Sequence, residues 1–163
     1  MKLAIVALAL FLLVVRCLPA EPISAAVHGA IMVIADREGV PRSVANWQQI
    51  EESGNWQTGA WGDAEAVSHE AVRGFHSRGL FQIFEEPKNL DYLLRTFWRP
   101  SDGVFDILDP IDNATLALRY LAALHRQLGT WFLACVFYNH GSIFGASAET
   151  LAYAARIINA RAP

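Results

Sequence analysis

The sequence predicts a mainly α single domain in which helices are joined by one long irregular loop or short hairpin. Three observations carry this. Apolar residues recur at helical spacing over most of the chain after residue 24, cap and terminator residues bracket those stretches, and the segment from Gly54 to Arg78 keeps no sustained period. At 163 residues the chain has enough length for one core and little for a second.

Much of the 53% hydrophobic content sits at one end. The stretch "MKLAIVALALFLLVVRCLPA" carries one Lys, an apolar run from Leu3 to Val15 and then a more polar segment with small residues, which is the pattern of a secretory signal peptide. We expect it to cover residues 1–20, with cleavage between 20 and 26. The run is short for a bilayer span and no stop-transfer pattern follows, so a membrane anchor is the lesser reading and export to the periplasm or cell envelope the expected one. Cys17 follows Arg16 rather than the small residue of a lipoprotein signal, and leaves with the leader. Cys135 then stands alone inside the apolar "WFLACVFY", where it reads as a small buried hydrophobe with no disulfide partner.

Residues 24–38 form the first expected helix, stopped by Gly39 before Pro41. A second runs from about Pro41 to Ser53, with Val44, Trp47 and Ile50 one turn apart on its buried side and Gly54 and Asn55 as terminator. The segment that follows is long for a compact domain, and Trp56, Trp61 and Phe75 argue for a functional loop rather than disorder. A short helix is expected near Gly79 and another over "NLDYLLRTFW". In "LDPIDNATLALRYLAALHRQLG", Asp109 caps, Pro110 opens the helix and Gly129 ends it. Thr130 caps a further helix through about Tyr138. Ser147 caps the last, with Arg156 and Arg161 toward its C-terminal end, as the helix dipole prefers.

A formal net charge of −3 with interspersed signs, and aromatics not interleaved with Lys or Arg, speak against a nucleic-acid partner. There is no Gly-rich phosphate loop, paired cysteine set or HExxH, and none of the five histidines is spaced with another and a carboxylate as a metal site requires. No metal or organic cofactor is implied.

"QQIEESGNW" sets Glu51 and Glu52 where the second helix runs out. The partial negative charge of a helix C-terminus disfavours an ionised carboxylate there. The two side chains lie about 100° apart around the helix and so meet different surroundings. A carboxyl in this last turn, desolvated by Trp47 or Trp56, retains its proton toward neutral pH and becomes a candidate general acid.

Further along come "SRGLFQI", "FYNHG" and "ETLAYAARI". In this order the four motifs resemble those of the soluble (SLT) lytic transglycosylases of the lysozyme-like superfamily, whose members cleave the glycan strands of peptidoglycan. That family opens with Glu-Ser at a helix end, continues with Gly-Leu-Met-Gln and Tyr-Asn-x-Gly, and carries a Tyr in its last helix; "DPIDNATLALRYLAAL" is similar to the helix between its second and third motifs. The likeness covers about residues 28–160, within an expected domain of 27–163. Phe81 stands where many members have Met, a departure that bears on subfamily rather than function.

The resemblance implies a lysozyme-like helical domain with an irregular active-site loop or short hairpin. It implies Glu52, which directly precedes Ser53, as the catalytic acid and base, with Glu51 an exposed neighbour. Ser53, Ser77, Gln82, Tyr138, Asn139 and Tyr153 fall at substrate-binding positions, Tyr153 reaching back toward Glu52. One glutamate would serve both steps, the substrate's N-acetyl group replacing a second carboxylate and the product ending in 1,6-anhydromuramic acid. Trp56 or Trp61 would offer a face to a sugar ring. The implied partner is the peptidoglycan glycan strand, met by a monomer, alone or in the service of a secretion or other envelope-spanning assembly. A goose-type-like lysozyme is the nearest alternative and would need an acid such as Asp63, Glu65 or Glu70 to activate water. A non-catalytic peptidoglycan-binding or assembly protein is the other.

Overall fold

The computed structural model describes residues 22–68 and 74–160; the expected leader, Glu70 and Arg161 lie outside them. Among the described residues the helices are α1 (Ala25–Glu38), α2 (Arg42–Ser53), α3 (Pro87–Phe97), α4 (Pro110–Leu128), α5 (Trp131–His140) and α6 (Ala148–Asn159). Strands β1 (Ser77–Arg78) and β2 (Ile83–Phe84) stand between α2 and α3, and a 3-10 turn at Pro100–Asp102 follows α3. None of these helices is long and apolar enough to cross a membrane.

The caps act as the sequence predicts. Asp109 accepts from the Ile111 and Asp112 amides, Thr130 from Leu133 and Ser147 from Thr150, each satisfying donors that a helix N-terminus leaves unpaired. Gly39 and Gly129 end α1 and α4 in the left-handed conformation.

The short helix expected near Gly79 is not formed. The chain instead turns back on itself, pairing Ser77 with Phe84 and Arg78 with Ile83 in an antiparallel hairpin. Gly79 takes φ +77° and Gln82 φ +49°, and the Gln82 amide closes the turn on Gly79 O at 3.0 Å. Two positive φ values this close together exclude a right-handed helix.

Helix α4 is the centre of the core, burying Leu116, Leu118, Leu121 and Leu124 and packing against α1, α3 and α5. Helix α6 lies on α5 and reaches across to α2. Arg119 of α4, almost fully buried, ties three elements together. It donates to Glu38 Oε1 at the end of α1 (3.1 Å), to Asp102 Oδ2 in the 3-10 turn (2.6 Å) and to Phe97 O at the end of α3 (2.9 Å). One helical turn earlier than Leu116, fully buried Asn113 grips the hairpin. Its Oδ1 accepts from Phe81 N (2.8 Å), and its Nδ2 donates to Arg78 O (3.2 Å) and Ile107 O (2.9 Å).

Removing that amide strands one buried donor and two carbonyls at once. Asn113→Ala is expected to lower the unfolding free energy by roughly 2–4 kcal/mol, read as a fall in the urea midpoint. A midpoint unchanged from the native protein would show that the hairpin holds without it.

Candidate active site

The end of α2, the hairpin, α4 and the C-terminal end of α5 enclose a cavity of about 450 Å³. Of the residues predicted from sequence, Glu52, Ser77, Gln82, Tyr138 and Asn139 line it together. Phe84, Asn89, Tyr120 and His140 also line it and were not singled out in the sequence. A smaller, more polar cavity of about 300 Å³ lies on the α6 side and shares Glu52 and Asn139, adding Glu51, Glu149, Tyr153 and Arg156. Glu52 thus stands where the two meet.

Helix geometry and burial set the state of Glu52. It is in the last turn of α2, and desolvation raises its carboxyl from 4.5 to about 8; the nearby Glu51 carboxylate pushes the same way, while hydrogen bonds from Tyr153 and Gln48 pull back. Tyr153 Oη donates to Glu52 Oε1, and Gln48 Nε2 donates both to that oxygen (3.1 Å) and to Tyr153 Oη. Burial, reinforced by the Glu52 charge, holds the Tyr153 phenol well above its ordinary range, so it stays a donor. Burial first, and the Glu52 charge second, push the Cys135 thiol up to about 12, which fits the inert buried cysteine expected.

Glu51 is not the exposed neighbour expected. Its side chain keeps 3% of its accessible surface and forms a two-bond ion pair with Arg156 of α6, at 2.7 and 2.8 Å. The reason is the packing of α6 on α2, which covers the side of α2 that Glu51 occupies.

Ser53 lines neither cavity. Its hydroxyl donates inward to Leu80 O at 2.7 Å, fastening the hairpin to the helix end. Tyr138 donates to Phe81 O at 2.9 Å and leans on the Tyr120 ring. Gln82 Nε2 donates to Ala66 O and Gly79 O, at 3.1 and 2.9 Å. Neither tryptophan offered for sugar stacking lines these cavities: Trp61 stacks on His28 with ring centroids 4.1 Å apart, and half-exposed Trp56 covers the Arg156 guanidinium at 5.3 Å. Asp63 and Glu65 are likewise outside both cavities, Asp63 Oδ1 accepting from Glu65 N at 2.9 Å in a local turn.

Among the described residues, the hydrogen-bond partner of Glu52 that sequence reasoning missed is Gln48. Its signal was present: it stands four residues before Glu52, one turn away on the same face, and is polar where α2 is buried.

A native carboxyl titrating near 8 against 4.5 unfolded makes the folded state hold its proton longer. The stability this group contributes is full below about 4.5, declines as pH rises and is lost through about 8. Glu52→Gln, which cannot ionise, is therefore expected to be more stable than the native protein at pH above about 8, by on the order of a few kcal/mol, with the difference closing toward acid. Paired thermal melts across pH read it; parallel curves at all pH would mean the carboxyl is not held protonated.

The chain matches the family model described as Transglycosylase SLT domain over residues 50–160. No curated protein and no solved structure matches it. The matched span opens two residues before Glu52, takes in the hairpin wall of the larger cavity and the α5 wall of both, and closes past α6, well over half the chain. On that match and on its helical architecture, the chain belongs to the transglycosylase SLT domain family.

Proposed function

We propose that the protein is a peptidoglycan lytic transglycosylase that cleaves the β-1,4 bond between N-acetylmuramic acid and N-acetylglucosamine with Glu52 as acid and base. One observation carries the reading: Glu52 is the sole carboxylate lining the larger cavity among the described residues, and its surroundings hold it protonated near neutrality. Glycosidases that work through the enzyme alone need two carboxylates across the scissile bond. A site with one suits a substrate that brings its own nucleophile.

Glu52 gives its proton to the glycosidic oxygen as the bond from that oxygen to the muramic anomeric carbon breaks. The carbonyl oxygen of the muramic N-acetyl group closes on the same carbon and holds the developing positive charge. The Glu52 carboxylate then takes the proton from the muramic 6-hydroxyl, whose oxygen displaces the acetamido oxygen from the anomeric carbon. The product is the 1,6-anhydro sugar, no water is consumed, and Glu52 ends protonated, as it began. A pKa near the working pH suits a group that must donate and then accept. Ser77, Gln82 and Asn139 supply polar contacts to the glycan; Tyr138 and Ser53 act through the backbone they hold. Export to the periplasm or envelope, by the leader read in residues 1–20, brings the enzyme to this polymer.

Digesting purified peptidoglycan with the native protein should release muropeptides with anhydro ends by mass spectrometry. Glu52→Gln should lower that release by on the order of a hundredfold to ten-thousandfold. Because the acid form is the active one, kcat/KM should fall as pH rises past about 8. Reducing ends, heavier by one water, would assign the enzyme to hydrolysis; no products from either protein would leave a binding or assembly role.

A further inference from the structure

Gln48 is fully buried, and packing does not explain it. Its Oε1 has no hydrogen-bond partner among the described residues, a cost that an apolar side chain of the same size would avoid. What the amide gains for this is contact through Nε2 with Glu52 Oε1 and Tyr153 Oη.

The consequence is a division of labour between the two carboxyl oxygens. Oε1 of Glu52 accepts from Gln48 and from Tyr153, which occupies both of its lone pairs. Among the described residues no donor reaches Oε2. A proton on the carboxyl therefore belongs on Oε2. We propose that Gln48 is a positioning residue for the acid: by donating to Oε1 alongside Tyr153, it confines the transferable proton to Oε2 and holds that oxygen toward the substrate. This rests on Glu52 acting as the acid of the proposed reaction.

The other groups around Glu52 do not replace it. From α6, Tyr153 shares the same oxygen, Arg156 is committed to Glu51, and Glu149 lines the smaller cavity. From α5, Cys135 and Tyr138 stay neutral through burial, and His140 lines the larger cavity with its Nδ1 bonded to Ser142 O at 3.1 Å. The hairpin contributes Ser77 and Gln82, which do not ionise. Glu51, on the same helix, adds only repulsion.

The orientation of the amide gives the inference a sign. With Nε2 on Glu52, Gln48 favours the carboxylate, so losing it raises the proton affinity of Glu52. With the amide reversed, a carbonyl would face Oε1, draw the proton away from the substrate, and its loss would lower that affinity.

The test replaces Gln48 by Met, which keeps the volume and removes the donor. Native and Gln48→Met proteins carrying ¹³C-carboxyl glutamate are titrated by NMR, with the Glu52 resonance identified by its absence in Glu52→Gln. Turnover is followed on soluble, uncrosslinked glycan strands across pH. We expect the Glu52 resonance of the variant to titrate at higher pH than in the native protein, with the basic limb of kcat/KM moving the same way. We also expect kcat to fall on the order of tenfold to a hundredfold while KM barely changes. A resonance that stays put or moves down, or a kcat that does not fall, would overturn the assignment. Should the native protein release no glycan products, the proposed function fails, and the titration alone still decides whether Gln48 governs the proton on Glu52. If circular dichroism shows Gln48→Met to be unfolded, Gln48→Leu gives the same two readouts.

Discussion

The site exists because the Asn113 side chain holds an irregular segment against a regular one. Helices alone do not make the larger cavity; its wall opposite α5 is a hairpin of only two residues per strand, too short to be stable in isolation. Asn113 reaches it from α4 through two hydrogen bonds, one accepted from Phe81 N and one donated to Arg78 O, and the backbone comes so close that a Cβ on Gly79 would lie 2.2 Å from Asn113 Nδ2 and 2.5 Å from Ile107 O. Glycine is required there twice over, by that contact and by φ +77°. Gln82, at φ +49°, bears the remaining strain of the turn and is stabilised by its two bonds to Ala66 O and Gly79 O. A polar residue in an unusual backbone conformation thereby ends up on the cavity wall.

In the proposed reaction, burial of Glu52 sets function against stability. An unpaired buried carboxylate is among the more costly groups a fold can hold, and this one reduces the cost by keeping its proton. An arginine placed beside it would have relieved the cost as well, by pinning the group ionised and useless as an acid. The arginine present, Arg156, is taken by Glu51 instead. Two adjacent glutamates thus receive opposite treatment from one pair of helices: Glu51 is neutralised as an ion, and Glu52 as an acid.

The helices were legible because their boundaries are written in local chemistry. Ser, Thr and Asp caps and terminal glycines work within a turn of themselves, and α4 through α6 begin where those residues predict. The hairpin was only half legible: a turn signal at Gly79 is ambiguous until Asn113, more than thirty residues away, fixes the Phe81 amide. Glu52 could be read from its motif and helix-end position, and Tyr153 from its motif alone. The burial of Glu51 could not, since it depends on how α6 packs across α2, a contact spanning over a hundred residues of sequence. Trp61 was misleading for a similar reason; its ring is taken by His28, on a helix the loop has to reach before the stack exists.

The last two turns of α2 explain why these separate pieces converge on one carboxyl. Residues in a helix step around its axis by about 100°, so a run of polar side chains is aimed in several directions at once. Gln49 Oε1 accepts from Gly62 N at 3.1 Å and ties down the loop, and Ser53 reaches Leu80 O in the hairpin turn. Glu51 takes Arg156 of α6, and Gln48 and Glu52 meet on Tyr153. Together these links join α2 to the loop, the hairpin and α6, and each is made by a polar residue in a place where an apolar one would have given a simpler core. Under the proposed function, a helix end that holds a protonated acid still, between a loop, a hairpin and a second helix, has use for all of them. The polarity that makes "QQIEES" look like an exposed stretch is the polarity of a hub.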